Sequence, residues 1–370
     1  MDPSFFTSKK IFLTGHTGFK GSWLLSIFKA LGANVKGYSL RPEGDSLYNT
    51  IHGDKLCDSE IGDILNYEQL KKSVESFNPD FIFHFAAQPL VLKSYRDPKY
   101  TFDVNVAGTV NILETFRLAK KKMVFVAVTT DKVYKNETSN YPFRESDELG
   151  GHDPYSSSKA GMEMVLDSYL KSYILSKTNK WEKGLVTCRA GNVIGGGDFS
   201  EDRIIPDIFR ALSYGKKLVV RNPNSVRPWQ HVLDALNGYL HAAYHTWLDP
   251  INFSQPFNFG PDPSEIISVH DLVKTFSKGL EDLEYTIQAE YPEKAHEAPK
   301  LLLDNYLARN RLRWKPIWEG YNAIKYTLEW YKKYHQNPSD NLTMEQVDNF
   351  FRDFKKLDVK KRLSNIEPDF

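Results

Sequence analysis

Three glycines near the start of the chain constrain its fold more than any other feature. Gly15, Gly18 and Gly21 stand in the run TGHTGFKG, after an apolar run of strand type at residues 10–14 and before a helix-period stretch at 23–31. Such glycines permit a tight turn and a close approach to a pyrophosphate, while the helix offers free N–H groups to the phosphates. The pattern predicts a dinucleotide-binding loop. The alternative is a turn that only packs strand against helix, and the order strand, loop, helix favours the cofactor.

The first half of the chain alternates short apolar runs with longer helical stretches. The further strands are predicted at residues 35–39, 80–85, 123–129 and 185–189, and the helices at about 100–120 and 155–176. The run MVFVAVT is continuous and apolar, as in a strand that is buried on both faces. This alternation predicts an α/β fold with a Rossmann-type, doubly wound parallel sheet.

The pattern changes after about residue 190, where loops lengthen and proline, glycine and arginine cluster. We therefore expect a dinucleotide-binding domain at 1–190, a smaller substrate domain at 191–340 and a helical tail at 341–370. No low-complexity linker separates the first two parts. They are expected to be interleaved, with residues at about 231–260 returning to the first domain.

Composition excludes several classes of protein. Lys and Arg total 48 and Asp and Glu total 47, so no overall field draws the chain to nucleic acid or anionic lipid. Cys57 and Cys188 form neither a disulfide framework nor a metal-ligand spacing, which fits a reducing compartment. The N-terminus carries no signal-peptide pattern, and no window approaches the roughly 20 apolar residues of a membrane helix. We expect a cytoplasmic protein with no metal, membrane or nucleic-acid partner.

The end of the second strand bears on which dinucleotide is bound. Folds that bind NAD usually place an acid there to hold the ribose hydroxyls. Here the strand ends in GYSLRP, where Ser39 precedes Arg41, and an arginine suits the 2′-phosphate of NADP. These residues leave NAD and NADP open. Asp63 and Ile64, after the third strand, are candidate adenine contacts, and an ordinary strand-to-loop transition is the alternative.

A tyrosine and a lysine four residues apart form the candidate for proton transfer. Tyr155 and Lys159 lie in YSSSK, and positions i and i+4 share one face of a helix. Free tyrosine has a pKa of about 10, and a nearby ammonium favours the phenolate. We expect Lys159 to stand near the Tyr155 phenol, which then removes a hydroxyl proton as the carbon loses hydride. A surface pair with this spacing also arises by chance, and the preceding glycine-rich loop favours an active site.

The strand at 123–129 runs into Thr130, Asp131 and Lys132, at the sheet edge where ligands bind. With the glycine-rich loop and the Tyr–Lys pair, this resembles the extended short-chain dehydrogenase/reductase family, and specifically its nucleotide-sugar 4,6-dehydratases. Members that act on TDP-glucose or GDP-mannose carry Thr-Asp-Glu or a close variant, whereas Thr-Asp-Lys resembles the branch that acts on CDP-glucose. The segments GHTGFKGSWL, ELGGHDPYSSSK, RAGNVIGGGDFSEDRIIPD and RPWQHV resemble the same branch. The resemblance covers roughly residues 8–335.

The resemblance implies an NAD-dependent internal redox elimination. Hydride leaves carbon 4 of the sugar, water is lost from carbons 5 and 6, and the hydride returns to carbon 6. Tyr155 would take the hydroxyl proton, and Thr130 would bond the 4-oxygen. Asp131, if a desolvated site keeps it protonated, would give its proton to the departing 6-hydroxyl.

The base for the carbon 5 proton stays open. Lys132 replaces the glutamate that would do this simply, and a lysine must first lose its own proton. Alternatively the Lys132 charge stabilises the enolate while another group or water acts as the base. Glu145 and Asp147 are further candidates.

The resemblance also implies binding residues. The expected cofactor contacts are Gly15, Thr17, Gly18, Phe19, Lys20, Gly21, Ser39, Arg41, Asp63, Ile64, Ala86, Ala87, Tyr155 and Lys159. The expected contacts with the nucleotide sugar are Gln88, Asn105, Asn192, Arg203, Arg221, Arg227 and His296. A single arginine is more often a solvated salt-bridge partner, Asn192 lies in a run that suits a flexible turn, and Asn105 suits a structural amide.

Two other functions fit the same scaffold, namely a nucleotide-sugar epimerase or reductase and a non-catalytic dinucleotide sensor. Asp131 and Lys132 argue against the first, and the retained Tyr155 and Lys159 argue against the second. The sugar, hexose or heptose, is not decided by any residue. A homodimer through the two long helices is implied by the resemblance. Their candidate outward residues, which equally suit contact with the sheet, are Val104, Val110, Leu113, Met162, Val165 and Leu166.

Overall fold

A computed structural model describes the chain except for residues 43, 137–140, 178, 221, 263, 265–266, 281–282, 289–300 and 365–370. Its strands are β1 (Lys10–Thr14), β2 (Asn34–Ser39), β3 (Asp58–Ile61), β4 (Phe81–His84), β5 (Val124–Val128), β6 (Gly184–Ala190), β7 (Val193–Ile194), β8 (Leu218–Val220), β9 (Val226–Arg227), β10 (Gln230–His231), β11 (Pro256–Phe259), β12 (Ile267–Ser268) and β13 (Tyr285–Ile287).

The helices alternate with these strands in the first half of the chain and dominate its end. They are α1 (Phe19–Ala30), α2 (Leu47–Thr50), α3 (Tyr67–Phe77), α4 (Val91–Arg96), α5 (Pro98–Phe102), α6 (Gly108–Leu118), α7 (Pro154–Tyr169), α8 (Ile204–Ser213), α9 (Val232–Leu248), α10 (Pro250–Phe253), α11 (Val269–Gly279), α12 (Tyr306–Arg311), α13 (Tyr321–Gln336) and α14 (Asn341–Ser364). Wider π-type turns join α5 to α6 at Asp103–Ala107 and extend α7 at Leu170–Ile174.

A seven-stranded parallel sheet forms the centre of the molecule. Its order is β11-β6-β5-β4-β1-β2-β3, so the chain works outward from β1 in one direction and then returns to build the other side. Every residue of β4, β5 and β6 is buried, as expected for strands that are covered on both faces. The predicted doubly wound α/β fold is confirmed, and the four further predicted strands match β2, β4, β5 and β6 to within one residue at each end.

Two apolar layers cover the sheet. One contains residues of α1, α9, α13 and α14, and the other contains residues of α3, α6 and α7. Fully burying a large aliphatic or aromatic side chain contributes roughly 1.5–3 kcal/mol, so these layers, rather than the peripheral two-stranded pairs, hold the strand ends in place. Four of the apolar residues considered for a dimer face lie in the second layer and face the sheet: Val104, Leu113, Met162 and Leu166.

The second half of the chain is interleaved with the first. Residues 256–259 return to the main sheet as β11, which pairs with β6, and α9 lies against β5 and β6. Three short strand pairs, β7 with β10, β8 with β13 and β9 with β12, stand outside the main sheet. The domain boundaries at 190 and 340 remain predictions. Within the described ranges, no helix is long and apolar enough to span a membrane.

Candidate active site

The glycine-rich loop is packed so tightly that side chains do not fit. Gly15 has a left-handed φ of +74°, and a Cβ there would lie 2.7 Å from the Ala86 nitrogen. A Cβ on Gly21 would lie 2.2 Å from the Gly15 carbonyl oxygen. Gly18 caps α1 without a side-chain hydrogen bond, which leaves the first-turn N–H groups for an anion. The loop therefore fits the diphosphate of a dinucleotide.

Side chains near the loop tie it to the end of β2. The Thr17 hydroxyl bonds the Ser39 hydroxyl at 2.9 Å and donates to the Leu40 carbonyl at 3.0 Å. Arg41 beyond them is exposed. Phe19 is half-buried, and a Cβ on Gly195 would lie 3.3 Å from its ring. Thr17 and Ser39 thus shape the expected ribose end of the cleft, and neither carries a charge.

The predicted adenine contacts are placed less directly. The Asp63 carboxylate accepts a hydrogen bond from the Leu65 nitrogen at 2.9 Å. Ile64 is buried in the core layer of α3, α6 and α7. The Ile64 carbonyl accepts from Asn111 Nδ2 at 2.9 Å. The adenine contact of this segment stays a prediction.

His84, a buried histidine that was not predicted from the sequence, fixes the turn after β4. The Thr14 hydroxyl bonds His84 Nδ1 at 2.8 Å and accepts from the nitrogens of Phe85 and Ala86 at 3.2 Å each. His84 Nε2 bonds the Thr109 hydroxyl at 3.0 Å. Burial lowers the pKa of His84 to about 3, which fits a neutral ring in this chain of bonds. The turn that carries Ala86 and Ala87 is therefore held in place by the Thr14 hydroxyl, which His84 orients.

At the end of β5, a carboxyl is buried in the cleft. Asp131 is 1% exposed, and Thr130 donates to its Oδ1 at 2.9 Å. Its Oδ2 has no hydrogen-bond partner in the part of the chain that the structure describes, and a Cβ on Gly191 would lie 3.0 Å from it. Burial raises the pKa of Asp131, and the charges of Lys132, Arg227 and Lys20 oppose that rise. The group is suited to hold and release a proton.

Helix α7 carries the predicted tyrosine into the same cleft. The Asp153 carboxylate accepts from the Ser156 nitrogen at 3.0 Å and Pro154 follows it, which is a favourable helix start. Tyr155 is 8% exposed, and its nitrogen donates to the Ser94 hydroxyl at 3.1 Å. The sequence predicted that Tyr155 and Lys159 share one helix, and the structure brings both to the end of β5.

Burial dominates the pKa values of Tyr155 and Lys159 in the chain alone, and the expected effect of Lys159 on the phenol stays a prediction. Burial raises the pKa of Tyr155 to about 12, while a hydrogen bond from Thr130 and the charge of Arg203 act in the lowering direction. The Lys159 ammonium instead donates to the Val128 carbonyl at 3.3 Å. Burial and the charge of Lys20 lower the pKa of Lys159 to about 8. Desolvation is therefore the largest influence on the pKa of each side chain in the chain alone.

Lys20 extends from the glycine-rich loop toward these groups. Burial and then the charge of Arg203 lower its pKa to about 8, and the charges of Asp131 and Asp198 act in the raising direction. Its ammonium lies 6.0 Å from the centre of the Tyr239 ring. Lys20 thus connects the loop to the catalytic end of the cleft.

Gln88 and Asn105 bond within the protein. Gln88 Nε2 donates to the Thr101 hydroxyl at 2.9 Å, and its Oε1 accepts from the Leu90 nitrogen at 2.7 Å. Asn105 bonds both backbone groups of Gln88 and donates to the Ser158 hydroxyl at 2.9 Å. Both amides therefore have partners within the protein, and their contacts with the substrate stay predictions. Through Ser158, Asn105 also orders α7 beside Tyr155.

The predicted substrate residues of the second half are only partly placed. Arg203 pairs with Asp198 at 2.7 Å, and its charge reaches Tyr155. Arg227 is buried, donates to the Val226 carbonyl at 2.9 Å, and acts on Asp131. Asn192 is half-buried, and its carbonyl accepts from the Gln230 nitrogen at 3.1 Å. The other two predicted residues, Arg221 and His296, lie outside the described residues.

The two further candidates for the carbon 5 base already have backbone partners. Glu145 Oε1 accepts from the Asn258 nitrogen at 2.8 Å, and burial raises the pKa of Glu145. Asp147 Oδ2 accepts from the Arg144 nitrogen at 2.8 Å. Lys132, half-buried next to Asp131, acts on that carboxyl through its charge. Among the described residues, no group of three or more His, Cys, Asp or Glu is arranged to hold a metal ion.

Comparisons with known proteins agree with this geometry. The family profile described as GDP-mannose 4,6 dehydratase matches residues 12–327. A CDP-glucose 4,6-dehydratase of Salmonella typhimurium is 40% identical over 335 residues, which cover 90% of this chain and 93% of that protein. A UDP-glucose 4-epimerase of Mycolicibacterium smegmatis is 26% identical, with 88% and 99% covered.

Solved structures share the fold. The dTDP-glucose 4,6-dehydratase of Bacillus anthracis, solved in complex with NAD, has a TM-score of 0.71 at 23% identity, covering 90% of this chain and 100% of that one. An epimerase of Methanothermobacter thermautotrophicus has a TM-score of 0.76 at 22% identity, covering 91% and 96%.

Proposed function

The chain belongs to the GDP-mannose 4,6-dehydratase family and is a nucleotide-sugar 4,6-dehydratase, and we propose that its substrate is CDP-glucose or a close CDP-sugar such as a CDP-heptose. The product would be the corresponding CDP-4-keto-6-deoxy sugar. The observation that carries the proposal is Asp131, a buried carboxyl of raised pKa near the Tyr155 phenol. Water loss needs such a proton donor, and simple epimerisation does not. The 40% identity to a CDP-glucose 4,6-dehydratase supports cytosine as the base of the nucleotide.

The cofactor is NAD, and the tight glycine-rich loop fits its diphosphate. Bound NAD would supply the acceptance of the hydride from carbon 4 and its return to carbon 6, and the oxidised ring would add a positive charge to the cleft. The backbone of Gly15, Gly18 and Gly21 would hold the diphosphate. Ser39 and Thr17, which bond each other, would line the adenosine ribose.

Tyr155 takes the proton of the 4-hydroxyl in this proposal. Burial holds its pKa at about 12 in the chain alone, so the phenolate needs further positive charge. Arg203 already acts in that direction, and Lys159 lies one turn further along α7. Thr130, whose hydroxyl lies at the same strand end, would bond the 4-oxygen.

Asp131 then gives its proton to the departing 6-hydroxyl. Its raised pKa favours the protonated form that this step requires. We assign the carbon 5 step to Lys132, either as the base that takes the proton or as the charge that stabilises the enolate while another group or water takes the proton. Its position directly after Asp131 supports this, since the 5 and 6 positions of a sugar are adjacent.

The remaining assignments concern anchoring and assembly. We propose that Arg203, Arg227 and Asn192 contact the nucleotide diphosphate, and that Arg221 and His296 join them. We also propose a cytoplasmic homodimer that serves deoxysugar and surface-polysaccharide synthesis. Phe102 on α5 and Met164 on α7, 41% and 63% exposed, support a contact through these helices.

The test is incubation of the purified protein with CDP-glucose and NAD, read by product mass. Loss of one water without net reduced cofactor is the expected result. UDP-glucose and TDP-glucose are the matched controls that test which nucleotide base the protein accepts. An isomer of unchanged mass would indicate epimerisation and contradict the proposal. No reaction with CDP-glucose but water loss from a CDP-heptose would keep the reaction and change the sugar.

A further inference from the structure

A buried ion pair lies behind the catalytic residues. Glu163 on α7 and Arg189 on β6 each have 3% side-chain exposure. The guanidinium meets the carboxylate in two parallel bonds, Nε to Oε1 and Nη2 to Oε2, both 2.9 Å. Nothing in the proposed reaction uses either residue directly.

The pair holds both flanks of the catalytic turn at 130–132. On one side, the Thr129 hydroxyl donates to Glu163 Oε1 at 2.6 Å. On the other side, Arg189 Nη1 donates to the Tyr134 hydroxyl at 2.9 Å, and that hydroxyl donates to Asn258 Oδ1 on β11 at 2.6 Å. The turn that carries Thr130 and Asp131 is therefore held on both sides, at Thr129 and at Tyr134, by one ion pair.

Glu163 of the pair also lies on α7, the helix that carries Tyr155. Glu163 lies one turn beyond Lys159 and two turns beyond Tyr155 on α7. A helix of this length transmits position rigidly over two turns. The Glu163 carboxylate is thus the point at which the phenol side and the carboxyl side of the site are joined.

Stability does not account for such an arrangement. Desolvating two charges offsets most of the gain from their attraction, and apolar residues of similar volume often do as well or better. The pair is better explained by the need to fix α7 relative to β6, because its bidentate geometry accepts only one relative position of the two elements.

We propose that Glu163 and Arg189 are positioning residues that set Tyr155 against Thr130 and Asp131, so that both sides reach the same sugar. The inference rests on the proposed dehydratase function. A misplacement of about 1 Å is enough to cost about a hundredfold in rate. Among the described residues, the pair bonds Thr129, Tyr134 and the Glu145 carbonyl and not the glycine-rich loop, so binding should be spared.

The test compares Thr129→Val, which removes the hydroxyl bonded to Glu163, with Thr129→Ser, which keeps it. Thr115→Val is the matched control, because the buried Thr115 hydroxyl also donates a short bond, to the Ile112 carbonyl at 2.7 Å, away from the site. We expect Thr129→Val to lower kcat about tenfold, with KM and NAD affinity within about twofold. Thr129→Ser should restore kcat, and Thr115→Val should change only the melting temperature.

Glu163→Gln should have a larger effect and lower kcat by about a hundredfold relative to the wild type. If that variant fails to fold, the Thr129 pair decides alone. Equal kcat per folded molecule in Thr129→Val and Thr129→Ser would overturn the inference while leaving the proposed function intact. A wild-type protein that removes no water from any nucleotide sugar would overturn the proposed function and this inference with it.

Discussion

The cofactor side of the cleft, residues 14–21 and 84–87, and the catalytic side, residues 129–134 and 153–163, are held in place by different means. On the cofactor side the backbone itself forms the surface, and a Cβ on Gly15 or Gly21 would overlap main-chain atoms. On the catalytic side, hydrogen bonds between polar side chains hold the site, from Thr129 to Glu163 and from Thr130 to Asp131. The first region cannot accept added atoms, and the second cannot lose them.

The comparison predicts different kinds of damage in the two regions. Extra volume on the cofactor side should weaken binding of NAD while the chemistry stays possible once NAD is bound. Loss of one polar atom on the catalytic side should stop the chemistry while NAD still binds. Each of the following changes tests one half of that contrast.

The largest effect is expected for Tyr155→Phe on the catalytic side. Removing the phenol oxygen removes the group that takes the 4-hydroxyl proton, so kcat should fall by about a thousandfold or more. NAD affinity, measured by fluorescence titration, should stay within about twofold of the wild type. Tyr306→Phe, at a 71% exposed tyrosine, is the control. Turnover within a few-fold of the wild type would show that Tyr155 does not have this role.

Asp131→Asn should be next, at about a hundredfold in the rate of water loss. The amide cannot give a proton to the departing hydroxyl, whereas oxidation at carbon 4 still has Tyr155. Reduced cofactor should therefore accumulate transiently, which stopped-flow absorbance detects. An unaltered elimination rate would remove Asp131 from the mechanism, and loss of both steps together would show that it supports the oxidation as well.

Gly21→Ala tests the cofactor side. The added Cβ would lie 2.2 Å from the Gly15 oxygen, so the loop must open. Overpacking of this kind costs about 1–3 kcal/mol, and roughly tenfold to a hundredfold weaker NAD binding follows. Gly260→Ala, whose Cβ would lie 3.4 Å from Leu303 Cβ, is the matched control. Normal NAD affinity with a lowered kcat would reverse the contrast between the two sides.

The smallest effect concerns pH. Burial lowers the pKa of His84 to about 3 and that of His16 to about 4, whereas an unfolded histidine titrates at about 6.5. Their stability contribution is therefore complete above pH 6.5 and is lost as the pH falls below it, by at most about 1.4 kcal/mol per pH unit for each group. Asp131 on the catalytic side, whose pKa is raised, has the opposite sign.

Urea unfolding across that acid range measures the slope. His84→Gln should flatten it and His335→Gln, at an exposed histidine, should not. An unchanged slope in His84→Gln would assign the acid sensitivity to another part of the molecule.

Local patterns were enough to predict what depends on neighbours in sequence. The strand, loop and helix around Gly15 and the shared helix of Tyr155 and Lys159 follow from spacing alone. The Glu163–Arg189 pair was not predicted because its members are 26 residues apart and meet only when α7 lies on β6. His84 was missed for the same reason, since its partner Thr14 is 70 residues away.

Side-chain direction was the least predictable property. Gln88 follows a strand end, as a cleft residue should, but a nearby hydroxyl and backbone groups satisfy its amide. Lys159 has the right spacing from Tyr155, yet its ammonium donates to the Val128 carbonyl at the end of β5. In both cases desolvation rewards a hydrogen bond within the chain, and residue spacing carries no information about such a competing partner.

The position of α14 against α1 has a consequence for how the protein is made. Helix α1 begins at the glycine-rich loop and leaves the ribosome long before α14, which lies against it. The Trp23 indole on α1 donates to the Gly196 carbonyl, which is synthesised 173 residues later. At about 5–20 residues per second of synthesis, the apolar surface of the nascent α1 stays open for tens of seconds. A chaperone that shields it during translation should raise the yield of folded enzyme.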